Sequence, residues 1–122
     1  MPLETIQSSD TEAILSAIKR DGACIVADLL AEDQCDSLLE DFSKHMDDVP
    51  WGVDELGYKS DFYGAQTKRL HGLFSKSEHM EGVPTHPVLL NLAEMVLLDE
   101  KKSRDFRLSN AGLMVLAENQ DV

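Results

Sequence analysis

Between Thr67 and His71 the sequence sets a hydroxyl, an ammonium, a guanidinium and an imidazole almost side by side, in the stretch Phe62 to Ser77, FYGAQTKRLHGLFSKS. Thr67 to Phe74 reads as a strand. Alternation along a strand then puts Thr67, Arg69, His71 and Leu73 on one face and Leu70, Gly72 and Phe74 on the other. A face of that kind either meets solvent or lines a polar cavity. The chemistry open to it is recognition of an acid, because a guanidinium meets a carboxylate through two parallel hydrogen bonds.

Two other strings have the letters of a metal site. His45-Met46-Asp47 and His79-Met80-Glu81 each separate an imidazole and a carboxylate by one residue. The first lies at the end of an expected helix and the second in an expected helical turn. There, positions i and i+2 are about 200° apart around the axis, so neither pair is expected to grip one ion. No Ser-His-Asp order, Gly-rich phosphate loop or C-x-x-C is present.

The elements that must hold these residues follow from periodicity. Residues 1–9 read as a mobile tail, followed by a single domain over 10–122. Asp10 can cap a helix in which Ile14, Leu15 and Ile18 share a face, and Gly22 suits its left-handed stop. Ala23 to Val26 reads as a strand buried on both faces. A second helix is expected over about Ala31 to Asp47, with Cys35, Leu38, Leu39, Phe42 and Met46 on its apolar stripe and Asp36, Glu40, Asp41 and Lys44 opposite. Residues 48–61 are irregular. They are either a working loop or a connector pinned by Trp51 and Tyr58.

Ser75 and Ser77 can cap a turn over Glu78 to Glu81. Pro87 suits the first position of a third helix to Leu98, with Leu89, Leu92, Ala93, Val96 and Leu97 on one stripe. Asp99 to Asp105 reads as a solvated turn. Phe106 to Ala117 reads as a strand bent at Gly112, whose apolar second half suits neighbours on both sides. With few residues after it, one edge is expected to lack a later partner, which is a liability unless something covers it.

The 122 residues carry a net charge of −12, with 43% hydrophobic and 28% charged residues. That balance suits a soluble globular chain. It disfavours nucleic acid and anionic membrane surfaces as partners. Two cysteines, Cys24 and Cys35, do not make a disulfide framework; both are expected to be buried thiols in a cytoplasmic setting.

Three blocks in order resemble a known family. The first is the helix, Asp21-Gly22 turn, strand and Leu-Leu helix of residues 12–46. The second is residues 62–77, similar to an F-x-G-x-x-T-K-R pattern. The third is His86-Pro-Val-Leu with its helix, then Leu108-Ser-Asn-Ala-Gly-Leu-Met-Val-Leu116. Over about residues 12–117 they resemble the N-terminal half of phytanoyl-CoA dioxygenase-like enzymes, closest to fungal and bacterial members acting on natural products.

The resemblance implies an α+β fold in which N-terminal helices pack on part of a double-stranded β-helix, a cupin-like jelly roll. It also implies Fe(II) held by H-x-D and a later His, a facial set with open positions for cosubstrate and oxygen. It places 2-oxoglutarate near Arg69, with Thr67 and His71 as weaker candidates for the same pocket. The H-x-D segment should follow the last strand closely, and the sequence ends at Val122.

The expectation is therefore a truncated or split member: a non-catalytic subunit or fragment of an oxygenase for a small organic substrate. Its iron ligands would come from a complementary or full-length subunit, in a homo- or hetero-oligomer. The alternative is a non-enzymatic module that binds a small molecule or a protein.

Overall fold

A computed structural model describes residues 2–52, 64–98 and 105–118. Residues 99–104 of the expected turn over 99–105, residues 53–61 of the irregular stretch over 48–61 with Tyr58, and Phe62 and Tyr63 of the basic stretch lie outside the described residues. The chain is α+β and forms two compact units. One comprises residues 1–32 and 82–107, the other residues 33–81 and 108–122.

The first unit opens with β1 (Thr5–Gln7), α1 (Thr11–Asp21) and β2 (Ile25–Ala27). Each signal at the ends of α1 is used as its residue type suggests. The Asp10 carboxylate accepts from Ala13 N at 3.0 Å, satisfying one of the free amides of the first turn. Gly22 takes φ +82° and donates its N–H to Ile18 O at 2.9 Å. β1 and β2 pair in parallel, Thr5 with Ile25, Ile6 with Val26 and Gln7 with Ala27.

The expected mobile tail over 1–9 is thereby corrected for residues 5–7. Ile6 is buried and belongs to the core, so burial of one β-branched side chain plus main-chain pairing orders a stretch that has no periodicity of its own. β2 lies one to two residues later than expected. It has β1 as its neighbour and leaves Ile25 exposed, so the reading of burial on both faces is also corrected.

α4 (Pro87–Leu97) completes this unit, with Pro87 in its first turn as expected and the His86 ring nitrogen Nδ1 accepting from Val88 N at 3.2 Å. The core is Ile6, Ile14, Ala17 and Leu92, with Ala13, Ile18, Cys24, Val26 and Val88 packed around it. Val88 and Leu92 are one turn apart, so α4 meets α1 through its first two turns. The expected stripe is rotated and shortened: Val96 and Leu97 are exposed.

The second unit holds α2 (Glu32–Met46), β3 (Thr67–Leu70), α3 (Leu73–Lys76), a 3₁₀ turn (Glu78–Gly82) and β4 (Leu113–Leu116). α2 matches its expected span. It buries Phe42 and Met46, near its C-terminus, whereas Leu39 is exposed. Cys35 is exposed on the same helix and Cys24 is only half-buried, which corrects the reading of both as buried thiols.

β3 and β4 pair antiparallel, Thr67 with Leu116 and Leu70 with Leu113. The strand expected over 106–117 shortens to Leu113–Leu116. Among the described residues β4 has β3 as its neighbour and no second one, so Met114 and Leu116 stay exposed. No helix among the described residues is long and apolar enough to cross a membrane.

Candidate functional site

The basic stretch folds as a short strand followed by a sharp turn. Gly72 adopts φ +65°, a left-handed conformation that glycine enters without steric cost, and swings the chain from β3 into α3. The strand expected to reach Phe74 therefore ends at Leu70. Thr67 and Arg69 do share one face of β3, opposite Leu116 and Met114, while Lys68 and Leu70 share the other. His71 lies beyond the strand, so the expected row of three is corrected to a pair.

Each polar group has its own setting. Thr67 is buried. Its Oγ1 donates to Gly64 O at 3.1 Å and its carbonyl accepts from Gly52 N at 2.9 Å. Its hydroxyl hydrogen is used in the turn that enters β3. Arg69 is half-buried beside it on the strand.

Lys68 turns the other way. Its Nζ donates to Met46 O at 3.1 Å and lies 5.1 Å from the centroid of the Trp51 ring. The ammonium is thus spent on the C-terminal end of α2 and on the ring face. The His71 carbonyl accepts from Lys76 Nζ at 2.5 Å, and its ring packs against Gly112, where an added Cβ would lie 3.6 Å from Nδ1.

The expected metal-like strings keep the geometry that disqualifies them. His45 lies on α2, and Asp47 continues its spiral by donating N–H to Ser43 O at 3.2 Å. His79 and Glu81 lie in the 3₁₀ turn. Among the described residues, no group of three or more His, Cys, Asp or Glu side chains is placed to share an ion.

A second polar cluster joins residues far apart in sequence. Asp41 of α2 accepts at Oδ2 from Ser77 Oγ at 2.7 Å and from His79 Nδ1 at 2.9 Å. Ser77 Oγ in turn accepts from His79 N at 3.1 Å, which is the cap expected of Ser77. The hydrogen bonds from His79 and then Ser77 hold the Asp41 carboxyl below its ordinary value, and the bond to Asp41 raises the His79 imidazole above its own.

Serine, histidine and aspartate here do not make a nucleophilic triad. Ser77 gives its proton to the carboxylate, and the imidazole does not stand between them to take it. Sequence reasoning placed Asp41 on the solvated face of α2 and missed this cluster. Its one local signal was the capping serine; the link to Asp41 spans residues 41 to 79. Comparison with protein-family models and with curated proteins gives no match for this sequence.

Proposed function

We propose that the chain forms the N-terminal portion of an Fe(II)/2-oxoglutarate-dependent oxygenase of the phytanoyl-CoA dioxygenase-like type. It acts there as a non-catalytic subunit or fragment, in the cytoplasm, on a small organic substrate. The observation that carries this reading is the pairing of Thr67 and Arg69 on one face of β3, within an antiparallel β3–β4 pair. A guanidinium at that position suits one carboxylate of 2-oxoglutarate. β4, with exposed Met114 and Leu116, suits a sheet extended by further strands into a jelly roll.

A guanidinium such as that of Arg69 is the kind of donor that suits a dicarboxylate, whereas neither His45 with Asp47 nor His79 with Glu81 makes a facial ligand set. In this reading the iron ligands belong to a complementary or full-length subunit. The part played by this chain is to bind and orient a carboxylate through Arg69.

The test is iron-dependent consumption of 2-oxoglutarate by the chain alone and by the chain mixed with a full-length relative. Turnover is expected in the mixture beyond that of the relative alone, and not in the isolated chain. Arg69→Ala is expected to weaken 2-oxoglutarate binding about tenfold or more, the loss of one charge-assisted pair. Turnover by the isolated chain overturns the division of labour.

The exposed apolar residues of β4 also favour a second reading, a non-enzymatic module that binds a protein or an acidic small molecule. Saturable binding with no added turnover in the mixture selects it.

A further inference from the structure

The contacts of Asp41, Ser77 and His79 play no part in the reading of β3. Three hydrogen bonds converge there on two atoms, Asp41 Oδ2 and Ser77 Oγ. Ser77 is buried and uses both its hydrogen and a lone pair. Neither of its two bonds depends on a group that changes charge near neutral pH, since the Asp41 carboxyl is held below its ordinary value. The third bond does. His79 Nδ1 must carry a proton to donate to Asp41, and the His79 side chain is 44% exposed, so its ring exchanges protons directly with water.

We propose that Asp41, Ser77 and His79 form a proton-operated latch that holds the 3₁₀ turn Glu78–Gly82 against α2, closed while His79 is protonated and loosened when it is neutral. As an imidazolium the ring donates from both nitrogens, so the bond to Asp41 is always made. As a neutral ring it keeps one proton, which can sit on either nitrogen. With that proton on Nε2, two acceptors face each other 2.9 Å apart. The charges facing the latch favour the closed form: Glu40 from α2 and Glu78 from the turn act on His79, and Lys44 from α2 acts on Asp41.

The sign of the pH effect follows. The contribution of His79 is fully present below the ordinary imidazole value of 6.5 and is lost as pH rises through its raised folded value. The contribution of Asp41 is present above the ordinary carboxyl value of 3.8 and is lost as pH falls through its lowered folded value. The latch is therefore tightest between those two ordinary values. What it guards is the buried Met80, in the last turn before the chain passes from one unit to the other at Gly82.

Two-dimensional NMR on the intact chain tests the latch, by titrating the His79 ring and following hydrogen exchange of the Met80 to Gly82 amides from pH 5 to 8.5, corrected for intrinsic exchange. His79 is expected to titrate above 6.5, and protection of the turn is expected to fall several-fold across that step. In Asp41→Asn the His79 titration moves back down. In His79→Gln protection no longer changes with pH. In Ser77→Ala the step persists at lower overall protection. A His79 that titrates at or below 6.5, or turn protection with the same pH profile in the native chain and His79→Gln, overturns the proposal.

Discussion

Lys68 on β3 places its ammonium 3.1 Å from the carbonyl oxygen of Met46, the last residue of α2, with the Trp51 ring beneath it. A cation at a helix C-terminus satisfies a carbonyl that has no partner within the helix and meets the negative end of the macrodipole. Lys68→Met keeps the apolar stem and removes the charge. The expected loss is about 1–2 kcal/mol. Trp51 is the single tryptophan, so the same substitution should change its fluorescence in the folded state. Urea denaturation followed by that signal measures both effects.

The units should respond separately to cavities. Among the described residues, Ile14 in the first and Leu70 in the second are the largest fully buried side chains. Truncating either to alanine is expected to cost about 2–5 kcal/mol. Hydrogen exchange should accelerate mainly in α1 and α4 for Ile14→Ala, and mainly in β3 and β4 for Leu70→Ala. Equal acceleration throughout would mean that the two units unfold as one.

Two glycines separate backbone strain from crowding. At Gly22, with φ +82°, an added Cβ meets nothing within 4 Å. Any cost of Gly22→Ala is then conformational, about 1–2 kcal/mol, and Gly22→Asn should cost less. At Gly112 the φ is ordinary and the new Cβ would lie 3.6 Å from the His71 ring, a normal contact. Gly112→Ala should change stability by no more than about 0.5 kcal/mol. Thermal denaturation of the three variants checks the contrast.

At the acid end, two carboxyls should be felt. The hydrogen bond from Arg20 holds Asp21 below its ordinary 3.8, and His79 and Ser77 do the same for Asp41. Both contributions are present above 3.8 and lost as pH falls through the lowered values. Arg20 reaches Glu4 as well, at 2.7 Å, but its side chain is 60% exposed, so the pair is strongly screened. Arg20→Ala should flatten the acid limb only slightly, and less in 0.5 M salt than in 0.05 M salt, roughly the range over which screening lengths shorten by a factor of about three. Melting temperatures between pH 2 and 5 provide the measurement.

Much of the helical framework was legible because its signals are local. Asp10, Gly22 and Pro87 act within one turn of themselves, so their residue types suffice. Strand limits were harder to read. The apolar run through Phe74 looks continuous until Gly72 turns left-handed, and Ile6 is ordered by β2 rather than by its own neighbours in sequence. The apolar character of Cys35 and Leu39 shows which side of α2 they share, but not that Phe42 and Met46, further along the helix, take the cover. At the candidate site, Arg69 and Thr67 were placed together by strand alternation, whereas β3 ends at Leu70, before His71. Of the Asp41 cluster only the Ser77 cap was legible, since an acid on a helix surface carries no mark of a partner nearly forty residues away.

The order in which the two units use the chain bears on how it emerges from a ribosome. Unit one needs Leu92 against Ile14, and unit two needs β4 beside β3. Neither can close until a distant later segment has been made. At synthesis rates of about 5–20 residues per second, the helix begun at Thr11 waits seconds for Val88 and Leu92, with Ile14 and Ala17 covered in the meantime only by early residues such as Ile6 and Val26. A nascent chain of this design should lean on a holding chaperone until β4 is out.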